Sequence, residues 1–315
     1  MLGALISLLS AFSFSMSDIL VRRGVAKAPA AYGAFITVII GVPLFALASL
    51  LTGQIFRVND LTADEYLMLG AAGIVHYVVG RYANYLAIGA IGAARAGPVQ
   101  SLTLPYSVLI AFLFLGEDLT AGMAAGIALI LIGPALMVER QPARQAVLAA
   151  PEPEAVVATP PAEPFRMRQA EGYLFATIAA VAYGSSPVLI RAALEGSSGL
   201  SILGGFVSYI AAATLLLASL LLPSRRALLA AFEPATVRVF FGAGFFVFLA
   251  QVLRFVALSV ASVAVVAALL RFTSVFTLAL SWYFNRELEN LTWRVVAGVV
   301  VSVVGALLLV TMQAE

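Results

Sequence analysis

Six ionisable side chains lie inside long apolar stretches of this chain: Asp18, His76, Arg81, Arg95, Arg254 and Arg271. Burying one at the centre of a membrane helix costs roughly 2.5–3.5 kcal/mol on insertion scales, so such residues face protein or water and mark a pathway. Arg271 is the strongest candidate, too far inside its stretch to reach the headgroups comfortably, and Ser274, Leu278 and Ser281 continue a mixed stripe beside it. Its guanidinium can offer paired donors to a carboxylate or phosphate. The alternative is a bridge to a carbonyl or carboxylate on another helix, for which acidic partners are scarce.

His76, Gly80 and Asn84 recur at four-residue spacing on one helical face, with Tyr77, Arg81 and Tyr85 on the next. A polar and aromatic strip of that width is unsuited to lipid and suits a cavity wall. His76 titrates near neutrality when unperturbed, so it can shuttle a proton or stand neutral between helices. Gln251 and Arg254, three residues apart, are neighbours on another helix. Arg254 reads equally as a cavity residue and as a helix-end arginine reaching the headgroups, and Arg95 reads chiefly as the latter. Asp18 stands four residues before Arg22, which favours an ion pair at the membrane edge, with a proton-coupling carboxylate as the alternative. Ser10, Ser13 and Ser17 share its helix. Tyr77, Tyr106, Phe272 and Trp282 could receive an apolar moiety, although membrane aromatics more often pack or form interfacial belts.

The elements that must position these residues are membrane helices. The chain is 62% hydrophobic and 11% charged, with a mean hydropathy of +1.04, far more apolar than a water-soluble fold can cover. At about 20 residues per span, ten spans fit, at 2–21, 31–52, 64–88, 93–115, 120–138, 171–192, 200–222, 237–258, 261–284 and 293–312. A barrel is excluded because its strands would alternate rather than run continuously apolar. The chain has no cysteine and one histidine, so thiolate and histidine-rich metal sites are absent and no cofactor is expected. A formal charge of +2, with no basic cluster beside stacking aromatics, speaks against nucleic acid. MLGALISLLSAFSF lacks the basic segment of a signal peptide and reads as a retained first helix.

The chain also repeats itself about 170 positions later. SAFSFSMSDILVRRG (10–24) aligns with AAVAYGSSPVLIRAA (179–193), and residues 84–117 align with 254–287. The pair Gln251 and Arg254 thereby occupies the repeat positions of Arg81 and Asn84. Five spans per copy is odd, so the second copy enters the membrane from the opposite face. The predicted fold is an all-α integral membrane protein of ten transmembrane helices, arranged as two inverted five-helix repeats. The repeats cover residues 1–139 and 171–315. Residues 140–170, rich in Pro, Ala and Glu, form a flexible tether between them.

Loops alternate between two faces. One carries Arg22, Arg23, Lys27, Arg140, Arg144, Arg166, Arg168, Arg225, Arg226, Arg238, Arg286 and Arg294, and the other little beyond Arg57 and Arg191. Basic loops stay in the cytoplasm, which places the tether there and both termini outside. Pro98 and Pro105 in the fourth span and Pro187 in the sixth permit bending. Gly122 and Gly126 form a small-residue face on the fifth span, fit for packing within the chain or for a homodimer through the fifth and tenth spans.

These features resemble the drug/metabolite transporter superfamily in its EamA-type ten-helix form. The resemblance spans both halves and rests on the five-plus-five pattern and on AYGSSPVLIR at the start of the second half. It rests also on each half's ending of an acidic residue, LT and an apolar helix with glycines seven apart, Gly126 and Gly133, then Gly298 and Gly305. It implies a central cavity lined by spans 1, 3, 4, 6, 8 and 9, with spans 5 and 10 peripheral, in a bacterial-type inner membrane. Many bacterial relatives keep both termini in the cytoplasm, whereas the charge bias here points the other way.

The expected function is secondary active transport of a small metabolite, as an exporter of an amino acid or other carboxylate-bearing solute, by alternating access. Four interior arginines against one interior acid favour an anion or a zwitterion. The substrate-contacting candidates are Arg271, His76, Arg81, Asn84, Gln251, Arg254, Tyr77 and Tyr106, with His76 and Asp18 as candidates for proton coupling. A cationic drug exporter is the alternative. A membrane-embedded enzyme lacks a nucleophile or acid–base constellation, ATP-driven transport lacks a phosphate-binding glycine loop, and a subunit without flux is distinguishable only by assay.

Overall fold

The computed structural model describes residues 2–110, 120–138, 167–194, 199–222, 233–260, 266 and 269–313. The tether up to residue 166, Glu117, Asp118, Arg225, Arg226 and the side chains of Pro187 and Arg191 lie outside that description.

The regular structure of the described residues is helical. The first two spans are α1 (Leu2–Val25) and α2 (Ala30–Leu51). The third is a continuous rod made of α3 (Ala63–Gly73), a π-helical stretch (Ile74–Gly80) and α4 (Arg81–Ile91). It begins at a capping box, in which Thr62 accepts from the Glu65 amide and the Glu65 carboxylate accepts from the Thr62 amide at 2.6 Å. The fourth span is α5 (Ala93–Gln100) and α6 (Thr103–Ile110), and the fifth is α7 (Ala121–Leu136), capped by Thr120. In the second half follow α8 (Gln169–Leu194), α9 (Ser201–Ser219), α10 (Pro234–Val260), α11 (Thr273–Phe284) and α12 (Trp293–Gln313). Six of the helices, α1, α2, α8, α9, α10 and α12, are long and apolar enough to cross a membrane.

Two spans expected to run unbroken are interrupted. The fourth breaks at Ser101–Leu102 and the ninth at Arg271–Phe272, which are repeat-equivalent positions. Both breaks tighten into turns with bonds from residue i+3 to i: Leu104 N donates to the Ser101 carbonyl at 3.0 Å, and Ser274 N to the Arg271 carbonyl at 3.3 Å. Pro105 accounts for the first, because it has no N–H and its ring crowds the carbonyl four residues back, that of Ser101. The second half has Val275 at the matching place and breaks without a proline.

Packing follows the repeat. α1 lies along α10 while its twin α8 lies along the third span; α2 packs on α9, and α7 on α12. The α7–α12 contact is glycine-mediated. A Cβ on Gly126 would meet the Gly305 carbonyl at 2.9 Å, and one on Gly298 the Gly133 carbonyl at 2.5 Å. The glycine face of the fifth span is therefore filled by the tenth within one chain. Serines bind α1 to α10: Ser10 donates to the Ala250 carbonyl at 2.7 Å and Ser17 to that of Ala243 at 3.0 Å.

Candidate functional site

Between the halves lies a cavity of about 280 Å³. Its walls come from α1, the π-helical stretch and α4, both arms of the fourth span, α8, α10, and the break and start of α11. Repeat-equivalent positions enter its lining in pairs: Phe14 and Tyr183, Arg81 and Gln251, Asn84 and Arg254, Gln100 and Leu270, Ser101 and Arg271, Thr103 and Thr273. A cavity lined by matched pairs lies on the axis that relates the repeats, where both interrupted spans expose backbone and polar side chains to the interior.

Of the residues singled out from sequence, Asp18, His76, Arg81, Asn84, Gln251, Arg254 and Arg271 all line this one cavity. The π-helical stretch explains how His76 and Arg81 come together. Its wider turn carries about one extra residue, so a spacing of five shares a face where an α-helix would need four. Tyr77 is thereby turned away: it is buried against Tyr209, with ring centroids 4.0 Å apart, and does not line the cavity. Gly80, between His76 and Arg81, leaves room for Tyr183, whose ring would lie 2.7 Å from a Cβ there.

The polar groups are held by specific contacts. Arg81 donates from Nη2 to the Tyr209 hydroxyl at 2.7 Å, and its guanidinium carbon stands 4.8 Å from the centroid of the Tyr77 ring. His76 Nδ1 shares a 2.7 Å hydrogen bond with Ser186 Oγ. Asn84 accepts from Gln100 Nε2 and lies in hydrogen-bonding reach of Asp18 and Tyr183. His76 is within electrostatic reach of Arg254 and Arg81, and Arg271 within that of Arg254. Three atoms of the lining side chains are fully buried with no hydrogen-bond partner among the described residues: Arg81 Nη1, Arg254 Nε and Gln251 Oε1. Two are donors of cationic groups, and the arrangement can accept an anionic oxygen.

Other expectations are corrected. Arg95 does not reach the headgroups; it is 1% exposed, because the first turns of α5 are enclosed by α8, α11 and α12. Trp282 points outward, 60% exposed, and Tyr106 packs on α8 with its hydroxyl 2.9 Å from Ser185 Oγ, so neither lines the cavity. Asp18 faces the cavity within hydrogen-bonding reach of Asn84, whereas Arg22 reaches the carbonyls of Leu288, Ile88 and Gly89. Sequence reading missed Tyr183 and Gln100 as lining residues. The repeat alignment alone could have found Tyr183, as the twin of Phe14.

Comparison with known proteins gives the family. The EamA-like transporter family matches residues 1–139 and 170–311. The chain belongs to the EamA-like transporter family. With it comes membership of the drug/metabolite transporter superfamily, whose members are membrane transporters. A solved protein crystal structure shares the fold, with 16% sequence identity, 99% of this chain and 98% of that one covered, and a TM-score of 0.55. No curated protein matches the chain.

In this EamA-like transporter the two repeats are also tied together at the end that carries Arg22 and Arg23. Glu289, in the turn between α11 and α12, accepts from the amides of Ala93 at 2.7 Å and Ala94 at 3.1 Å, the first turn of α5. Gly92 precedes it at φ 83°, where a Cβ would lie 2.8 Å from the carboxylate. Arg22, 2% exposed, donates to the carbonyls of Leu288, Ile88 and Gly89. Asn285 donates to the Ile19 carbonyl at 3.0 Å and accepts from Arg23 Nε at 2.9 Å. Burial pushes the Glu289 carboxyl above the usual carboxylate range, while the two amides, Arg22 and Ser281 pull it back.

Proposed function

We propose that this protein is a secondary active transporter that exports a small carboxylate-bearing metabolite, such as an amino acid, by alternating access between its inverted repeats. The observation that carries the reading is the cavity itself. Arg81, Arg254, Arg271 and His76 converge on about 280 Å³, with Asp18 as the one carboxylate among the described lining residues. That charge balance favours an anion or a zwitterion held by its carboxylate, and the volume suits a small solute. Arg81, Asn84, Gln251, Arg254 and Arg271 are assigned to the solute, and Asp18 and His76 to proton coupling. Tyr77 would act through Arg81, whose guanidinium it supports.

The test is a thermal-stability screen of the purified protein against amino acids, organic anions, phosphorylated metabolites and cationic drugs, followed by liposome flux. A ligand at 100 times its dissociation constant adds about 2.7 kcal/mol to the folded state. Stabilisation by carboxylates, and flux that follows an imposed pH gradient until Asp18→Asn abolishes that dependence, are the expected results. Stabilisation by cations alone would overturn the reading and favour a cationic drug exporter centred on Asp18, the alternative that the acidic group in the cavity supports.

The same reading places the protein in a bacterial-type inner membrane, tether inside and termini outside, on the strength of the basic loops. A reporter fused after Glu315 should be active outside; activity confined to the cytoplasm would reverse the orientation. A homodimer through spans 5 and 10 would use the sides left open by the α7–α12 contact, Leu131, Ile132 and Leu136 with Val296, Val300 and Val304.

A further inference from the structure

A second and larger cavity, of about 590 Å³, shares no lining residue with the central one. It sits at the basic end of the molecule, on the seam between the repeats. The first half contributes Arg23 and Lys27 from the end of α1, and the second contributes Arg286 from the turn after α11. Among the described residues that line it, Glu287 is the one acid, against the three cations Arg23, Lys27 and Arg286. Arg23 is already ordered: Nε donates to Asn285 Oδ1 at 2.9 Å and Nη2 to the Phe284 carbonyl at 2.6 Å, with the guanidinium carbon 5.6 Å from the Phe284 ring centroid. A fork held in this way loses little freedom when it binds an anion. The first turn of α10 adds Ala235 and Thr236 to the wall.

Part of the remaining wall is aromatic and exposed at the surface of the protein. Tyr283 and Phe284 line the cavity and are 74% and 37% exposed. Trp282 beside them and Trp293 at the start of α12 are 60% and 74% exposed. Exposed tryptophan and tyrosine at the ends of membrane helices mark the headgroup level. A soluble anion would need only the cations; a lipid would use the cations for its phosphate and the aromatic wall for its glycerol and first methylenes. Basic pockets between membrane helices at this depth suit anionic headgroups.

We propose that this cavity binds the phosphate headgroup of an anionic phospholipid. The lipid bridges the repeats beside the Glu289 and Asn285 contacts and strengthens the closed seam. The proposal stands apart from the identity of the transported solute.

The test uses the full chain in nanodiscs of phosphatidylcholine, alone or with about a third phosphatidylglycerol, read by thermal unfolding and by native mass spectrometry of retained lipid. Phosphatidylglycerol should raise the melting temperature by several degrees and leave at least one retained lipid. Both effects should fall about tenfold in the Lys27→Gln, Arg286→Gln double variant and persist in Arg168→Gln, Arg294→Gln, which removes the same charge from the same face elsewhere. Equal loss in both double variants would reduce the effect to general surface charge and overturn the site. An equal rise with inorganic phosphate in phosphatidylcholine would overturn the lipid assignment in favour of a soluble anion. Undiminished lipid retention by the Lys27, Arg286 variant would also overturn it.

Discussion

Replacing Arg271 by alanine is expected to cut flux of a carboxylate solute about 30-fold or more while the protein still folds and inserts. Arg271 stands at the break of the ninth span, in the cavity wall, where its guanidinium could pair with an anionic oxygen of the proposed solute. Truncating one partner of a buried, hydrogen-bonded charge pair costs 2–5 kcal/mol or more, and the lower figure is already a factor of about 30. Stability should change little or rise, because removing the guanidinium also relieves its repulsion with Arg254. Flux and thermal stability measured on the same preparation decide the matter. Unchanged carboxylate flux in a folded variant would remove Arg271 from the site.

The Glu289→Ala variant is expected to lose about 2–4 kcal/mol of stability. Its carboxylate satisfies two amides at the start of α5 and accepts from Ser281 Oγ, and the residue is 7% exposed. Alanine would strand those donors, and each buried unsatisfied donor costs about 1–3 kcal/mol. Glu289→Gln should cost much less. An amide oxygen still accepts from the helix start, and burial has already raised the carboxyl's pKa, meaning that the folded protein holds this charge at a penalty. Thermal unfolding of the two variants side by side is the measurement. Equal losses would show that the charge, not the acceptor, matters at this helix start.

Much of this was legible in the chain because a bilayer leaves few choices. Ten apolar stretches with a repeat between them gave the fold, and the cost of intramembrane charge gave the cavity. Seven polar residues picked from four different spans, from Asp18 to Arg271, converge on one space. What was not legible depends on local register or on tertiary enclosure. Tyr77 and Arg81 share a face in an ideal helix; across the π-helical stretch Arg81 joins the cavity wall while Tyr77 stays behind it, its ring still against the Arg81 guanidinium. Arg95 looks like a helix-end residue in one dimension, whereas three helices close over it in space. Pro105 marks the break in the fourth span, but nothing local marks its twin at Arg271, which the second half keeps without a proline. Glu289 reads as an ordinary loop acid until the fold brings Ala93 beneath it.

The matched pairs around the cavity are alike in position and unlike in chemistry: Arg81 with Gln251, Asn84 with Arg254, Ser101 with Arg271. In the alternating-access cycle proposed above, the inverted repeats would trade conformations, and their backbones would exchange roles while their side chains would not. A solute arriving from one side of the membrane would therefore meet a differently charged reception from one arriving on the other, and the half-saturation concentrations at the two faces would be unequal. Microscopic reversibility forbids such an inequality from driving net movement. It would set instead the concentration range over which each compartment is sensed, so kinetics recorded from a single face would capture only half of the proposed cycle.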